Sequence, residues 1–98
     1  MTTHPSAIRA VELVEVGPRD GLQNEPGFVP TEQKVELVKR LIAAGVRRLE
    51  VASFVHPERV PQMADAEAVL AALPDRNDVT YIGLVLNKRG ALRALETR

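Results

Sequence analysis

Length and charge already narrow the class of protein. With 98 residues, the chain has room for one domain at most. Its 13 lysines and arginines balance 13 aspartates and glutamates, which argues against a nucleic-acid partner or an anionic membrane surface, since both usually need a basic excess. A content of 45% apolar and 27% charged residues is typical of a globular protein rather than a disordered one.

Several kinds of site and location are excluded or disfavoured by composition. The sequence has no cysteine, which excludes a disulfide framework, a thiolate zinc site and a thiol nucleophile within these residues. No apolar run is long enough to cross a membrane, and the first ten residues lack the apolar block of a secretory signal. We therefore predict a cytoplasmic chain without membrane contact, with a disordered tail over residues 1–10.

The first predicted unit is a strand followed by a helix. Val11–Val16 is rich in β-branched residues and ends at Gly17-Pro18, which is a turn signal. Thr31 is predicted to cap a helix whose apolar residues recur at helical spacing. Gly45 stands where the left-handed residue that ends a helix is expected.

Two further units repeat this alternation. A second strand is predicted over Arg47–Val51, and a second helix from Asp65 to the break at Pro74. The third strand is predicted over Val79–Leu86, and Asn87 is predicted to cap a last helix. The order β-α-β-α-β-α predicts an α/β fold with parallel strands and helical crossovers.

The connections from strand to helix are much longer than those from helix to strand. Residues 17–30 and 52–64 form the long loops, whereas a link as short as Gly45-Val46 leads into the second strand. Long loops are usually functional, and sites in parallel α/β folds form at the carboxyl ends of the strands. We therefore expect the chemistry on these two loops and around Asn87.

Arg19 and Asp20 follow the first strand directly and are the first candidates for a site. An aspartate there can ligate a hard divalent cation, and an arginine can neutralise a developing enolate or hold a carboxylate. A type I turn over Pro18–Gly21, with Asp20 bonded to its own backbone, explains the same residues. The two interpretations are compatible.

Glu50 is the next candidate, because of its phase in the second strand. Leu49 and Val51 share one face of that strand, and if they pack under the helices, Glu50 points to the opposite side. In a barrel this side is the interior, where a carboxylate needs a cation, a metal or hydrogen-bond donors. Glu15 is a similar case in the first strand, with a less clear phase. The structural alternative is a pair between either glutamate and an arginine such as Arg48.

The remaining polar residues give weaker indications. Gln23-Asn24-Glu25 offers amide and carboxylate groups in the first long loop, although solvated loop polarity is the commoner explanation. His56 lies in the second long loop without an evident partner and forms no paired metal-ligand motif with His4. Gly17-x-x-x-Gly21 lacks the features of a phosphate-binding loop, so a nucleotide-binding unit is weakly supported.

Three blocks of the sequence resemble the hydroxymethylglutaryl-CoA lyase family. They are Val-Glu-Val-Gly-Pro-Arg-Asp-Gly-Leu-Gln-Asn-Glu over 14–25, Ser53-Phe-Val followed by Val-Pro-Gln-Met-Ala-Asp over 60–65, and Asn-Lys-Arg-Gly over 87–90. All three are similar, in the same order, to segments that follow the first three strands of that family. Leu22 distinguishes the first block from the isopropylmalate and homocitrate synthases, which usually read Arg-Asp-Gly-Glu-Gln.

The resemblance implies a fold and a reaction. It implies a partial TIM (β/α)8 barrel, in which residues 11–98 form about the first three βα units of a pyruvate carboxyltransferase-like domain of roughly 250 residues. The family cleaves 3-hydroxy-3-methylglutaryl-CoA to acetyl-CoA and acetoacetate with Mg²⁺ or Mn²⁺. The resemblance therefore implies a small acyl-CoA substrate as partner and a homodimer as the form of the full-length enzyme.

The resemblance also implies roles for individual residues. Asp20 would be a metal ligand, and Arg19 would be a catalytic residue that contacts the substrate carbonyl and stabilises the enolate. Gln23 would bind substrate, Glu50 would line the active site as a further catalytic residue, and Glu15 matches another lining position. His56 falls in a loop that varies within such enzymes, so it bears on substrate preference.

Some of the family's functional residues are missing from this sequence. The other metal ligands, a His-x-His pair and an asparagine, come from later strands, as does a cysteine of the lid. We therefore predict an amino-terminal fragment that is inactive alone and either poorly soluble or self-associating. The alternatives are a related aldolase or acyl-CoA-condensing enzyme with another substrate, or a small non-catalytic α/β binding module.

Overall fold

The computed structural model describes residues 10–97, so nearly all of the tail predicted over residues 1–10 lies outside the described residues. Helices and strands alternate as the sequence predicts. The elements are α1 (Thr31–Ala43), β1 (Arg48–Ser53), α2 (Ala66–Ala72), β2 (Thr80–Leu84) and α3 (Lys88–Leu95). A π-helical turn at Gly17–Gly21 and a 3₁₀ turn at Pro61–Met63 lie within the two long loops. Within residues 10–97, no helix combines the length and apolar character needed to cross a membrane.

The prediction of a first strand over Val11–Val16 is wrong in its extent. Within this segment, only Glu15 pairs with β1: its N–H donates to the Arg48 carbonyl at 3.0 Å, and its carbonyl accepts from the Glu50 N–H at 2.9 Å. The side chain of Leu13 is 86% exposed, so no packed layer stabilises an extended segment before Glu15. A β-branched composition favours a strand only where the side chains can pack.

The two strands form a parallel ladder, as predicted. Arg48 lies opposite Thr80, and Ser53 lies opposite Leu84. The register shifts between Glu50 and Ala52, which makes a β-bulge in β1. Such a bulge bends its strand and re-aims the side chains beside it. The Glu15 bridge on the other edge of β1 is also parallel, so the three chain segments lie side by side in sequence order.

The hydrophobic core lies between one face of the sheet and the helices α1 and α2. Helix α1 buries Val35, Val38 and Ile42, which recur at the spacing of one helical face. The buried cluster to which α1 contributes consists of Val38, Ile42, Leu49, Val51, Ala52, Phe54, Ala66 and Val79. Burial of these side chains fixes α1 and α2 on the sheet and leaves the strand ends and the long loops beyond it.

The end of α1 confirms the prediction at Gly45. This glycine has a φ of 108°, a left-handed conformation that a side chain would disfavour. The Gly45 N–H donates to the Ile42 carbonyl at 3.0 Å, and the Val46 N–H donates to the Leu41 carbonyl at 3.0 Å. These two bonds make a Schellman motif, which ends the helix and turns the chain directly toward β1.

The helix starts agree with the sequence only in part. Asn87 caps α3 as predicted, since its side-chain oxygen accepts from the Gly90 N–H at 2.8 Å. Thr31 is not the cap of α1, because Pro30 occupies that position and Thr31 is the first helical residue. Asp65 does precede α2, but its side chain makes no capping bond to that helix.

Candidate active site

The first long loop begins with a tight turn that carries Arg19 and Asp20. Residues Gly17–Gly21 form one π-helical turn instead of the type I turn predicted over Pro18–Gly21. The Gly21 N–H donates to the Val16 carbonyl at 3.2 Å, one residue further back than in an α-helix. Isolated turns of this kind are frequent at functional sites. The turn follows the Glu15 bridge at once, so its position relative to β1 is set by backbone pairing.

The side chains of Arg19 and Glu50 meet in this structure. Arg19 donates from Nε at 2.9 Å and from Nη2 at 2.7 Å, and both bonds end on Oε1 of Glu50. The arginine side chain is 17% exposed and the glutamate side chain 24% exposed. In such a partly buried setting a charge-assisted bond is stronger than on an open surface. The pair joins the turn to the middle of β1.

The orientation of Glu50 agrees with its phase in the strand. Leu49 and Val51 are 0% and 2% exposed and belong to the core, while Glu50 lies on the other face. The alternative partner, Arg48, is instead 3.4 Å from a carboxylate oxygen of Glu12. Glu50 therefore pairs with the arginine of the loop and not with its neighbour in the strand.

Asp20 lies beside this pair and is more open to solvent. Its side chain is 54% exposed, and Oδ1 lies 3.6 Å from Nη1 of Arg19. The same oxygen accepts from Nδ2 of Asn24 at 3.1 Å. Within residues 10–97, no group of three or more His, Cys, Asp or Glu residues is placed to hold a metal ion. Because Mg²⁺ binds about six oxygens, Asp20 is at most one ligand and these residues do not make a metal site by themselves.

Two buried polar atoms have no hydrogen-bond partner among residues 10–97. One is Oε1 of Gln23, a residue that the sequence pointed to, and the other is Oγ of Ser53. Ser53 is fully buried at the carboxyl end of β1, and sequence reasoning did not single it out as a site residue. Its signal was its place near the start of the long loop predicted over residues 52–64. An unsatisfied buried polar group costs about 1–3 kcal/mol, so Oε1 of Gln23 favours a donor, and the Ser53 hydroxyl a donor or an acceptor, supplied from outside these residues.

Glu15 and His56 are engaged in local contacts. Oε2 of Glu15 accepts from the Gly17 N–H at 3.0 Å, so this carboxylate stabilises the start of the turn that bears Arg19. Nδ1 of His56 accepts from the Glu58 N–H at 3.1 Å. The imidazole also lines a cavity of about 110 Å³ between the second long loop and α3, away from Glu50.

The larger cavities do not coincide with the Arg19–Glu50 pair. A cavity of about 660 Å³ lies near the start of β1, between residues 11–15 and 44–48. A cavity of about 300 Å³ lies between the start of α1 and the second long loop. The Arg19–Glu50 pair is therefore a candidate site because of its side-chain chemistry and not because either of these cavities surrounds it.

A second charged pair joins α2 to α3. Arg93 of α3 donates from Nε and Nη2 to the two carboxylate oxygens of Glu67, each at 2.8 Å. These hydrogen bonds lower the pKa of Glu67 from its ordinary value and raise the pKa of Arg93. The Arg93 guanidinium also lies 5.4 Å from the centre of the Phe54 ring. This pair is structural, since it fixes α3 to α2.

Comparison with known proteins shows the family of this chain. The HMGL-like family model matches residues 10–97, which is nearly the whole sequence. The chain belongs to the HMGL-like family. The resemblance carried by the three sequence blocks is thereby confirmed.

Curated relatives of this HMGL-like chain are acyl-CoA lyases by name. It is 44% identical over 88 residues to hydroxymethylglutaryl-CoA lyase YngG of Bacillus subtilis, covering 90% of this chain and 29% of that protein. It is 49% identical over 89 residues to a 3-hydroxy-3-isohexenylglutaryl-CoA/hydroxymethylglutaryl-CoA lyase of Pseudomonas aeruginosa, covering 91% and 30%. It is 45% identical over 93 residues to (R)-citramalyl-CoA lyase of Chloroflexus aurantiacus, covering 85% and 29%.

Solved structures of the family match the fold. The crystal structure of hydroxymethylglutaryl-CoA lyase from Pseudomonas aeruginosa aligns with a TM-score of 0.85 at 50% identity, covering 89% of this chain and 29% of that one. A lyase from Acinetobacter baumannii in complex with coenzyme A and 3-methylmalate aligns with a TM-score of 0.84 at 44% identity, covering 88% and 28%. The chain spans about three tenths of the length of these proteins. Its α/β architecture is thus part of a TIM barrel.

Proposed function

We propose that this chain contributes to the active site of a carbon–carbon lyase that cleaves 3-hydroxy-3-methylglutaryl-CoA to acetyl-CoA and acetoacetate. The observation that carries the proposal is the Arg19–Glu50 pair, held where the first turn meets β1. The names of the relatives support the reaction and the acyl-CoA substrate. The coenzyme A bound to the Acinetobacter baumannii enzyme supports the same class of ligand.

The reaction requires a group that stabilises the negative charge that develops on the thioester oxygen. A base removes the proton of the tertiary hydroxyl, the bond between C2 and C3 breaks, and its electron pair forms the enolate of acetyl-CoA. Protonation of the enolate carbon then completes the product. A group aimed at the enolate oxygen is worth about 3–4 kcal/mol in such a step. Arg19 is proposed to be this group, because its guanidinium can donate to the oxygen in a fixed orientation.

Glu50 is proposed to determine which edge of Arg19 faces the substrate. Its Oε1 takes the donors Nε and Nη2, which leaves the Nη1 side of the guanidinium for another acceptor. In residues 10–97 this side approaches only Asp20, at 3.6 Å. Glu50 thus acts on the proposed catalytic arginine by orienting it. Gln23 is proposed to bind substrate, with its unpartnered Oε1 as an acceptor for a substrate hydroxyl.

A divalent cation, Mg²⁺ or Mn²⁺, belongs to the proposal as a component that these residues do not hold alone. When bound, it would polarise the substrate hydroxyl and a neighbouring oxygen. Asp20 is proposed to supply one ligand, since its carboxylate is exposed beside Arg19. Residues 10–97 lack a complete set of ligands, so the other ligands of such an ion would come from outside them. Cytoplasmic location and homodimeric assembly of a whole enzyme remain predictions from the sequence.

A lyase for a different 3-hydroxyacyl-CoA is the second candidate. It is favoured by the relative named (R)-citramalyl-CoA lyase and by the 3-hydroxy-3-isohexenylglutaryl-CoA in the name of another relative. Both names are those of lyases that act on an acyl-CoA, and they differ in the acyl group. The residues proposed for the enolate serve either substrate, so the two candidates differ in the groups that contact the acyl chain.

A chimera tests the proposed function. Residues 10–97 replace the matching segment of the Pseudomonas aeruginosa lyase, whose crystal structure aligns with this chain. We expect the chimera to release acetyl-CoA from 3-hydroxy-3-methylglutaryl-CoA, with kcat within about tenfold of the parent lyase. Citramalyl-CoA and 3-hydroxy-3-isohexenylglutaryl-CoA, assayed in parallel, distinguish the second candidate. A folded chimera with no activity on any of the three would contradict the proposal.

A further inference from the structure

The lysine of α1 at position 34 is buried, which is unusual for this residue type. Its side chain is 4% exposed, and Nζ donates to Oδ1 of Asp65 at 2.5 Å and to the carbonyl of Gln62. A buried ammonium is costly unless it is paired and hydrogen-bonded. The Lys34 ammonium therefore needs both the Asp65 carboxylate and the Gln62 carbonyl, and these bonds hold the start of α2 against α1.

Thr31 and Asp65, at the starts of α1 and α2, hydrogen-bond to each other and do not cap their own helices. Threonine and aspartate at such positions usually accept from the N–H groups of their own helix. Here neither does so: Oγ1 of Thr31 donates to Oδ2 of Asp65 at 2.6 Å. Both carboxylate oxygens of Asp65 thus accept from α1. The two helix starts are joined to each other at the level of the long loops.

Gln62 extends this network to the first long loop. Its Nε2 donates to the carbonyl of Glu25 at 2.9 Å. One residue earlier, Nδ2 of Asn24 donates to the carbonyl of Asp20 at 2.8 Å and to its Oδ1 at 3.1 Å. Hydrogen bonds therefore lead from buried Lys34, through Gln62 and the middle of the first long loop, to the turn that carries Arg19.

We infer that Gln62, Lys34 and Asp65 are positioning residues for Arg19 and Asp20. The inference rests on the proposed function, because it assigns these three residues to the same site. Arg19 is held on one side by Glu50, and Pro18 beside it is buried, whereas residues 24–28 of the same loop are exposed. The second long loop, docked on Lys34, supplies the other support. Misplacement of a reacting group by about 1 Å can cost on the order of 100-fold in rate, so this support bears on kcat.

Gln62→Ala in the chimera removes only the link between the loops. Gln62 is half-buried, and its backbone carbonyl stays available to Lys34, so the core is unaffected. We expect kcat to fall about tenfold while KM changes less than twofold and Tm is unchanged. Lys39→Met is the control, since Lys39 is an exposed lysine of α1, the helix that carries Lys34. It should leave kcat, KM and Tm as they are.

Lys34 and Asp65 need a pair of variants, because Lys34→Met alone leaves a partly buried carboxylate without its cation. The double variant Lys34→Met, Asp65→Leu removes both charges, and such replacements often restore stability. We expect its Tm to return toward that of the chimera while kcat stays at least tenfold lower. Recovery of kcat together with Tm would overturn the inference and make the pair structural only.

Hydrogen exchange tests the positioning without an assay of activity. The amides of residues 19–25 should exchange at least fivefold faster in Gln62→Ala and in the double variant, with those of α3 unchanged. Unchanged exchange in residues 19–25 would overturn the inference whatever the activity. If exchange responds as expected and the chimera is folded but inactive, the proposed function fails while the positioning of the loop stands.

Discussion

Arg19 and Glu50, which are 31 positions apart in the sequence, are joined by two hydrogen bonds that end on a single carboxylate oxygen. This geometry connects a loop to a strand at the place where the two meet. It also leaves one side of the guanidinium available, because Nε and Nη2 are both occupied. A residue at position 19 must therefore provide a fixed, planar set of donors, which among cations only arginine does.

Arg19→Lys should expose this requirement. Lysine keeps the charge but has a single nitrogen, which cannot bond Glu50 in the same way and reach a substrate oxygen in a fixed direction. We expect kcat/KM of the chimera for 3-hydroxy-3-methylglutaryl-CoA to fall about 10²–10³-fold, the range found when one oxyanion donor is lost. Steady-state kinetics measure the change. Arg40→Lys, at an exposed arginine of α1, is the control and should retain full activity.

Gly90→Ala should be destabilising, although helix propensity alone favours alanine there by about 1 kcal/mol. A Cβ at Gly90 would lie 2.7 Å from the carbonyl oxygen of Phe54, which is backbone and cannot rotate away. Helix α3 would have to move off the second long loop, at a cost of about 1–3 kcal/mol. Denaturant unfolding of the chimera measures the change.

The control for Gly90→Ala is a glycine in open space. A Cβ at Gly27 meets nothing within 4 Å. Gly27→Ala should therefore change the free energy of unfolding by less than about 0.5 kcal/mol, as at ordinary surface positions. Equal effects of the two substitutions would show that the contact between Gly90 and Phe54 does not limit the approach of α3.

The Glu67–Arg93 pair should make stability depend on acidic pH. The Arg93 guanidinium, through its hydrogen bonds, lowers the pKa of Glu67 below its ordinary value of 4.5. A carboxylate with a lowered pKa contributes stability above pH 4.5, and this contribution is lost as the pH falls through the lower, folded-state pKa. We expect the Tm difference between the chimera and its Glu67→Gln variant to be present at pH 7 and to shrink below pH 4.5. A difference that stays constant down to pH 3 would contradict the assignment.

Sequence reasoning was effective where one strand and one loop determine the geometry. The alternation of Leu49, Glu50 and Val51 predicts which side of β1 is buried, and the structure places Glu50 opposite the core. The position of Arg19 directly after the first segment predicts that it lies near the end of the strands. Backbone pairing at Glu15 then brings the two side chains into contact. The roles of these residues in catalysis stay predictions.

The predictions that were wrong share a physical cause, because each depends on tertiary contacts that the local sequence does not reveal. Val11–Val16 has the composition of a strand, but a strand needs side-chain packing that most of this segment does not have. Thr31 has the chemistry of a helix cap, and local rules assign it to its own helix. The structure instead pairs it with Asp65 at the start of α2, because a buried lysine one turn further along α1 needs Asp65. No pattern within either helix contains that information.

The chain alone should associate with itself. Large apolar side chains are exposed at both edges of the described structure: Leu13 is 86% exposed, Leu86 68% and Leu95 55%. The ladder of β1 and β2 also leaves one side of β2 without a partner among residues 10–97, and open strand edges promote association. We expect sedimentation velocity of the purified 98-residue chain to show species that grow with concentration, and we expect no cleavage of 3-hydroxy-3-methylglutaryl-CoA. A monomer with one cooperative unfolding transition would favour the small α/β binding module instead, because such a module must bury its own core.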